Sequence, residues 1–413
     1  MNSFKISKYT ISDWYFIGVL FVLAICMYYG MADLDNMTEV GTGKSYLLTV
    51  FLTVIQIPLL IYVIRERINS SDNYPPFIRY YIIYFLWMTA ITLLTDEVHN
   101  IIGLTVLSMS LFVFPLLLVT SYFRARHSEI DKWFFVAIIF IMLCLAVQYK
   151  NLYTIANQVG TENKHIAVSY FPLFVLPILF LSRSKIVRYV SAIVTSVIII
   201  SSIKRGGVIA LGSSLFVYVI VKQYVSGRSK IKQLLILSAF TLIIGGVVYH
   251  LSQAEENNVV ERIINIQDDG GSGRDVVWED TYNNIQNRDL VSRLVGDGYR
   301  SAQTVSKYHL PAHNDGLEIW YDFGGIGLVL YCIAFLSLIA YAFRLMKRKS
   351  QYAPHLCMIM TYYFIFSMTS IVVLYPWLSL LMLSVGIVVG LAERELEESK
   401  SQLHKNTNNT QYV

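Results

Sequence analysis

The stretch Phe323–Phe343 reads FGGIGLVLYCIAFLSLIAYAF. No charge interrupts it, and Arg344 closes it. A helix of this length rises about 30 Å, the thickness of a bilayer's hydrocarbon core. Apolar runs of similar length recur outward from it. They predict spanning helices at 14–30, 46–64, 77–95, 100–122, 133–149, 166–182, 187–203, 207–222, 233–251, 323–343, 355–374 and 376–392. The chain of 413 residues is 55% hydrophobic and only 15% charged, with a mean hydropathy of +0.52. Such a balance belongs to a polytopic membrane protein rather than a soluble domain. In lipid every backbone amide needs an internal partner, so the expected fold is all-α with about twelve transmembrane helices. A β-barrel would show short alternating segments instead.

Most of the 33 lysines and arginines fall in the turns that lie inside if the N-terminus is cytoplasmic, such as Arg65, Arg67 and Arg79, or Arg344, Lys347, Arg348 and Lys349. The short outer turns are acidic or neutral, as with Asp33, Asp35 and Glu39. Both termini are therefore expected inside, in a multi-pass protein of a cell membrane. The net charge of +5 reflects these inner turns and gives no reason to expect nucleic acid as a partner. Lys5 and Lys8 before an apolar core resemble a signal peptide, but the core's length favours a retained helix. The four cysteines all lie in predicted spans without a CxxC pair, so no disulfide framework or thiolate metal site is expected. The chain divides into spans over 1–251, an outer loop over 252–322, further spans over 323–392 and a polar tail over 393–413, expected to be frayed.

The outer loop departs from this pattern. Loops this long carry function or are disordered. Gly270-Gly271-Ser272-Gly273-Arg274 runs into a stretch with Val277, Thr281, Tyr282 and Ile285 at helical spacing. Ser272 is the expected N-cap. A second short pattern, Leu290-Val291 and Leu294-Val295, ends at the turn signal Gly296-Asp297-Gly298. A third, Leu317 to Phe323, leads into the quoted span. The expectation is two or three short helices over the outer surface. The glycines alone favour a flexible turn over an anion site at a helix N-terminus. Arg274 there opposes the helix dipole, which an anionic partner would explain. His313-Asn314 lies where loop meets span, with Glu318 and Asp322 close by, either orienting the histidine or simply solvated. His309 and His313 flank Pro311 without a third ligand, so zinc is not expected.

Lys204-Arg205-Gly206-Gly207 separates two predicted spans on the outer side, against the charge bias. Snorkelling to headgroups would account for the cations. It leaves the paired glycines, which allow close approach of a backbone or ligand, unexplained.

Taken in order, Lys204-Arg205-Gly206-Gly207, Ser272-Gly273-Arg274 with Trp278, Gly296-Asp297-Gly298-Tyr299, and His313-Asn314 with Gly324 and Gly327 resemble the O-antigen ligase and O-antigen polymerase superfamily. The resemblance covers about the last half of the chain. It implies a GT-C-like integral membrane glycosyltransferase of the bacterial inner membrane, acting at the outer face by inverting transfer, without a metal or other cofactor. The donor would be a glycan on undecaprenyl pyrophosphate. The acceptor would be a second carrier-linked repeat unit in a polymerase, or lipid A core in a ligase. A chain-length regulator is a further partner that such polymerases can have. The resemblance implies catalytic roles for His313, Arg274 and Arg205. Lys204, Arg300, Asn314, Ser272 and Gly273 are the expected substrate contacts. Imidazole suits removal of a hydroxyl proton near neutral pH, and arginine forks suit a departing pyrophosphate. A transporter of lipid-linked sugars is the reading from another class. It predicts charges or broken helices at mid-membrane, whereas the notable cations here gather at one rim.

Overall fold

A computed structural model describes residues 11–30, 54, 58, 61, 74–95, 119–126, 132–159, 167–202, 205–227, 270–307, 310–370 and 378–410. Among the described residues the fold is all helical. In chain order the helices are α1 (Ile11–Gly30), α2 (Pro76–Leu94), α3 (Val119–Arg126), α4 (Lys132–Val159), a 3-10 turn (Ala167–Tyr170), α5 (Phe171–Leu179), α6 (Lys185–Ser201), α7 (Arg205–Ser226), α8 (Gly270–Gln286), α9 (Leu290–Val295), α10 (Ser301–Val305), α11 (Asp315–Lys347), α12 (Ala353–Thr369) and α13 (Leu378–Thr410). Four of them, α2, α4, α7 and α11, contain stretches long and apolar enough to cross a membrane. The expected span at 233–251, and most of those at 46–64 and 100–122, lie outside the described residues.

Helix α2 shows why these are membrane helices. Its buried face carries Phe77, Tyr81, Tyr84, Met88 and Ile91, at spacings of three and four. Its other face is just as apolar, with Leu86 58% and Leu94 75% exposed. A helix that is hydrophobic all round needs hydrocarbon outside as well as protein inside. α2 packs on α11, α7 on α12, α3 on α13 and α1 on α4. Short α5 lies amid α4, α6, α12 and α13.

One expectation is corrected here, that of the tail. The span expected at 166–182 is helical over 167–179, a 3-10 turn continued by α5, with Pro172 in the first turn of α5 and Pro177 inside it. Neighbouring helices take up carbonyls of this segment: Ser384 donates to Phe174 O, and His355 Nδ1 bonds Pro177 O at 3.0 Å. The polar tail, expected to fray, continues α13 to Thr410. Its glutamates find partners at that end of the bundle. Tyr341 donates to Glu393 at 2.6 Å, Ser350 to Glu395, and Arg124 pairs with Glu397.

At the other end, α11 joins the loop to the quoted span. Its helical path breaks only at Gly324, with φ 70° and ψ 179°. The kink turns the Phe323 carbonyl out of the helix, where Trp87 Nε1 donates to it at 2.9 Å. Trp87→Phe keeps the ring and removes that donor. It is expected to cost about 1 kcal/mol, read as a drop of a few degrees in the melting temperature of the detergent-solubilised protein. An unchanged melting temperature would show that water satisfies the carbonyl equally well.

Candidate functional site

The loop segment is assembled from the helix stripe upward. On α8, Val277, Thr281 and Ile285 are buried as their spacing predicts, while Tyr282 is exposed and meets the Trp320 ring at 6.3 Å. Ile285 packs with Ala302 and Tyr321. The helix begins at Gly270, so Ser272 and Gly273 lie within its first turn, and Ser272 is not the N-cap. The glycine-rich run is thus helix rather than flexible turn. The first amides of a helix lack intrahelical acceptors, so this start presents donors just ahead of Arg274.

Asp289 caps α9 through Val291 N and Ser292 N, and these bonds, with that to Ser292 first, hold its carboxyl below the usual range. Before it, Arg288 clamps the loop to α11. It donates to Tyr321 O at 2.8 Å, lies 3.5 Å from the centroid of the Tyr321 ring and pairs with Asp297.

Asp322 is the hub of this segment. One carboxylate oxygen accepts from Ala302 N at 2.8 Å and Ser301 Oγ at 3.0 Å; the other accepts from Arg300 N at 2.9 Å. Its carbonyl accepts from Gly298 N at 2.8 Å. Glu318, 2% exposed, accepts from Ala312 N at 2.7 Å. Both carboxylates are therefore buried and engaged with backbone, and Glu318 holds the residue next to His313. His313 is partly buried and adopts a left-handed backbone, φ 52°, unusual for a residue with a side chain.

Two expected contacts have structural work. Asn314 Oδ1 accepts from Leu317 N at 3.2 Å and so caps α11. Arg300 also sits in the left-handed region, φ 66°, with its guanidinium 5.5 Å from the Tyr299 centroid and its charge acting on Glu318. Burial pushes the Tyr299 hydroxyl up, and the Arg300 charge opposes the shift.

The two arginine motifs meet at a residue that sequence reasoning did not select. Arg205 opens α7, and a Cβ on Gly207 would touch the Tyr170 ring at 2.9 Å. Gly206 faces the Tyr170 hydroxyl and Thr369 in the same way, at 3.7 and 3.2 Å. The Arg274 charge acts on the same hydroxyl. The paired glycines thus admit an aromatic ring, whose hydroxyl also feels the Arg274 charge. One turn beyond Arg274, the Trp278 indole N–H is buried with no acceptor among the described residues. Lys204 lies outside the described residues.

Two residues after His313, the fully buried Asp315 acts electrostatically on the hydroxyls of Tyr81, Tyr84, Tyr331 and Tyr363. Tyr331 bonds Ser367 at 3.1 Å, and the rings of Tyr170 and Phe366 lie 4.5 Å apart. The last turn of α12 therefore touches both Tyr170 and Tyr331. Among the described residues no three His, Cys, Asp or Glu side chains are grouped to hold a metal ion. The starts of α7 and α8 can present cationic and amide donors to an anion. No protein-family model matches the chain, and no curated protein matches it.

Proposed function

We propose that this protein is a polysaccharide polymerase of the O-antigen or capsule type, working on undecaprenyl-pyrophosphate-linked glycan. In this reading the chain crosses the bacterial inner membrane about twelve times in a GT-C-like fold. Both termini lie in the cytoplasm, and the 252–322 loop works at the outer face. The observation that carries the proposal is the convergence of the Arg205 helix start and Arg274 on Tyr170. A helix start that carries Arg205 and the charge of Arg274, both bearing on one ring, suit a pyrophosphate. The orphan Trp278 N–H, on the face of α8 that Arg274 shares, adds a buried donor for a phosphate or sugar oxygen.

The chemistry assigns each group a task. The acceptor hydroxyl attacks the anomeric carbon as the bond to the pyrophosphate oxygen breaks, and the configuration inverts. His313 removes the hydroxyl proton; undecaprenyl pyrophosphate departs with the bonding pair. The charge growing on its oxygen is met by Arg205 and Arg274. Glu318 and Asp322 hold the turns on either side of this region, so the imidazole enters the reaction with its backbone already fixed.

Deleting the gene in the source bacterium and resolving its surface glycans tests the assignment. Core carrying a single repeat unit, restored to full-length chains by the plasmid-borne gene, is the expected result. Full-length polymer stranded on the lipid carrier would reassign the protein as the ligase that transfers to lipid A core. Unchanged chain lengths, with sugar-lipid held on the inner leaflet, would replace catalysis by transport.

A further inference from the structure

Helix α9 has an apolar face that its own fold does not cover. None of its residues is buried, and Leu290, Val291 and Leu294 are 64%, 68% and 45% exposed. This is not a loose element. Asp289 caps its start, Gly296 N bonds Ser292 O at its end, and Arg288 ties the preceding turn to α11. Its carbonyl at Leu294 lies directly against Gly324. The exposed leucines and valine are therefore held in place. In water such an arrangement gains nothing for the fold.

The level of α9 identifies what lies against that face. Gly324 marks the point where α11 enters its uninterrupted apolar run. A Cβ at Gly325 would meet Leu294 Cδ2 at 3.9 Å and Trp320 Nε1 at 4.0 Å. Below that contact the outer face of α11 carries Ile326, Val329, Ile333 and Leu336, all exposed, at spacings of three and four. In a membrane helix hydrocarbon covers such a stripe. Leu294 sits at its upper end, so the apolar surface runs from α11 onto α9 where the span begins. The Trp320–Tyr282 pair stands at the same level, and such rings favour the headgroup zone.

We propose that α9 is an interfacial helix, lying along the membrane with Leu290, Val291 and Leu294 among the acyl chains of the nearer leaflet. The proposal rests on α11 crossing the bilayer and is independent of glycosyl transfer. It makes the loop a membrane-bound element. α8 and the His313 turn, on either side of α9 in sequence, are thereby held at headgroup height, where a lipid-linked pyrophosphate resides.

Spin labels read the depth directly. Val291→Cys is labelled in a chain whose four cysteines are replaced by alanine, then reconstituted in phosphatidylethanolamine–phosphatidylglycerol vesicles. Val329→Cys serves as the lipid-facing control and Glu279→Cys as the exposed control on α8. Molecular oxygen should relax the Val291 label more than a water-soluble nickel chelate does, as for Val329. A pattern matching Glu279 would overturn the proposal. So would exclusion of both relaxants, which would point to a protein partner or second copy on this face. If the cysteine-free chain fails to fold, the unaltered protein is photolabelled with lipids carrying a diazirine in the acyl chain. Adducts on the peptide containing 290–295, beside those on 326–336, are expected; adducts on the second peptide alone would overturn the proposal.

Discussion

Arg274→Ala should lower polymer formation about a hundredfold, corresponding to about 3 kcal/mol of lost barrier stabilisation. The size follows from what the guanidinium is asked to do. Pyrophosphate charge grows only as the glycosidic bond breaks, so the contact matters more in the transition state than in the bound donor. The loss should therefore appear mainly in kcat, measured by transfer of synthetic carrier-linked repeats in proteoliposomes. Arg274 is only partly buried, and a cation near a helix start is unfavourable to the helix itself. Melting temperature should accordingly stay near that of the unaltered protein. Arg274→Lys should recover part of the rate, since it keeps the charge and loses the fork. Full polymer formation by Arg274→Ala would refute the electrostatic role, whatever the fate of the rest of the site.

The sequence and the structure divide this site unevenly. The helices were legible where composition alone decides them. Phe323–Phe343 and 77–95 are apolar on every face, and the structure places helices there. The passage from a 3-10 turn to α-helix just before Pro172 was hidden within an apolar run. The tail at 393–410 was misread because its glutamates look solvated until Tyr341, Ser350 and Arg124 supply partners from distant sequence. The loop shows the same limit. Spacing found the buried stripe of Val277, Thr281 and Ile285, but no local pattern could assign Asp322 to the backbone of residues 300–302. Tyr170 was invisible for a related reason. In sequence it is one aromatic among 29 tyrosines, and only the close approach of Gly206 and Gly207 gives it a place between the two arginine motifs. Conversely, Asn314 and Arg300 drew attention as polar residues in a functional-looking stretch, and their backbone roles already explain much of their presence.

Gly324→Ala is expected to be the most damaging single substitution for the fold. With φ 70° and ψ 179°, Gly324 occupies a conformation essentially reserved for glycine. Forcing a side-chain carbon into it costs about 1–3 kcal/mol in backbone strain alone. The added carbon would also run into the carbonyl group of Leu294, which is backbone and cannot rotate away. Gly296 faces the same contact from the other side, where a Cβ would strike Asp322 O. The two glycines thus let α9 and α11 touch main chain to main chain, and neither strand of that contact can retreat without moving Asp322. Overpacking at such a site adds about 1–3 kcal/mol, so a total near 4 kcal/mol is expected. That is a large share of the stability of a typical domain, and the variant should accumulate poorly and melt far below the unaltered protein. Gly325→Ala is the matched control. Its Cβ would meet nothing nearer than 3.7 Å, and its φ is not in the glycine-only region, so alanine there should be close to neutral. Equal melting temperatures for the two variants in detergent would mean that the kink is not required. A selective loss at Gly324, together with lost polymer formation in the surviving fraction, would tie the shape of α11 to the placement of His313. One bend sets both the direction of α11 and the anchorage of the loop on which the proposed chemistry depends.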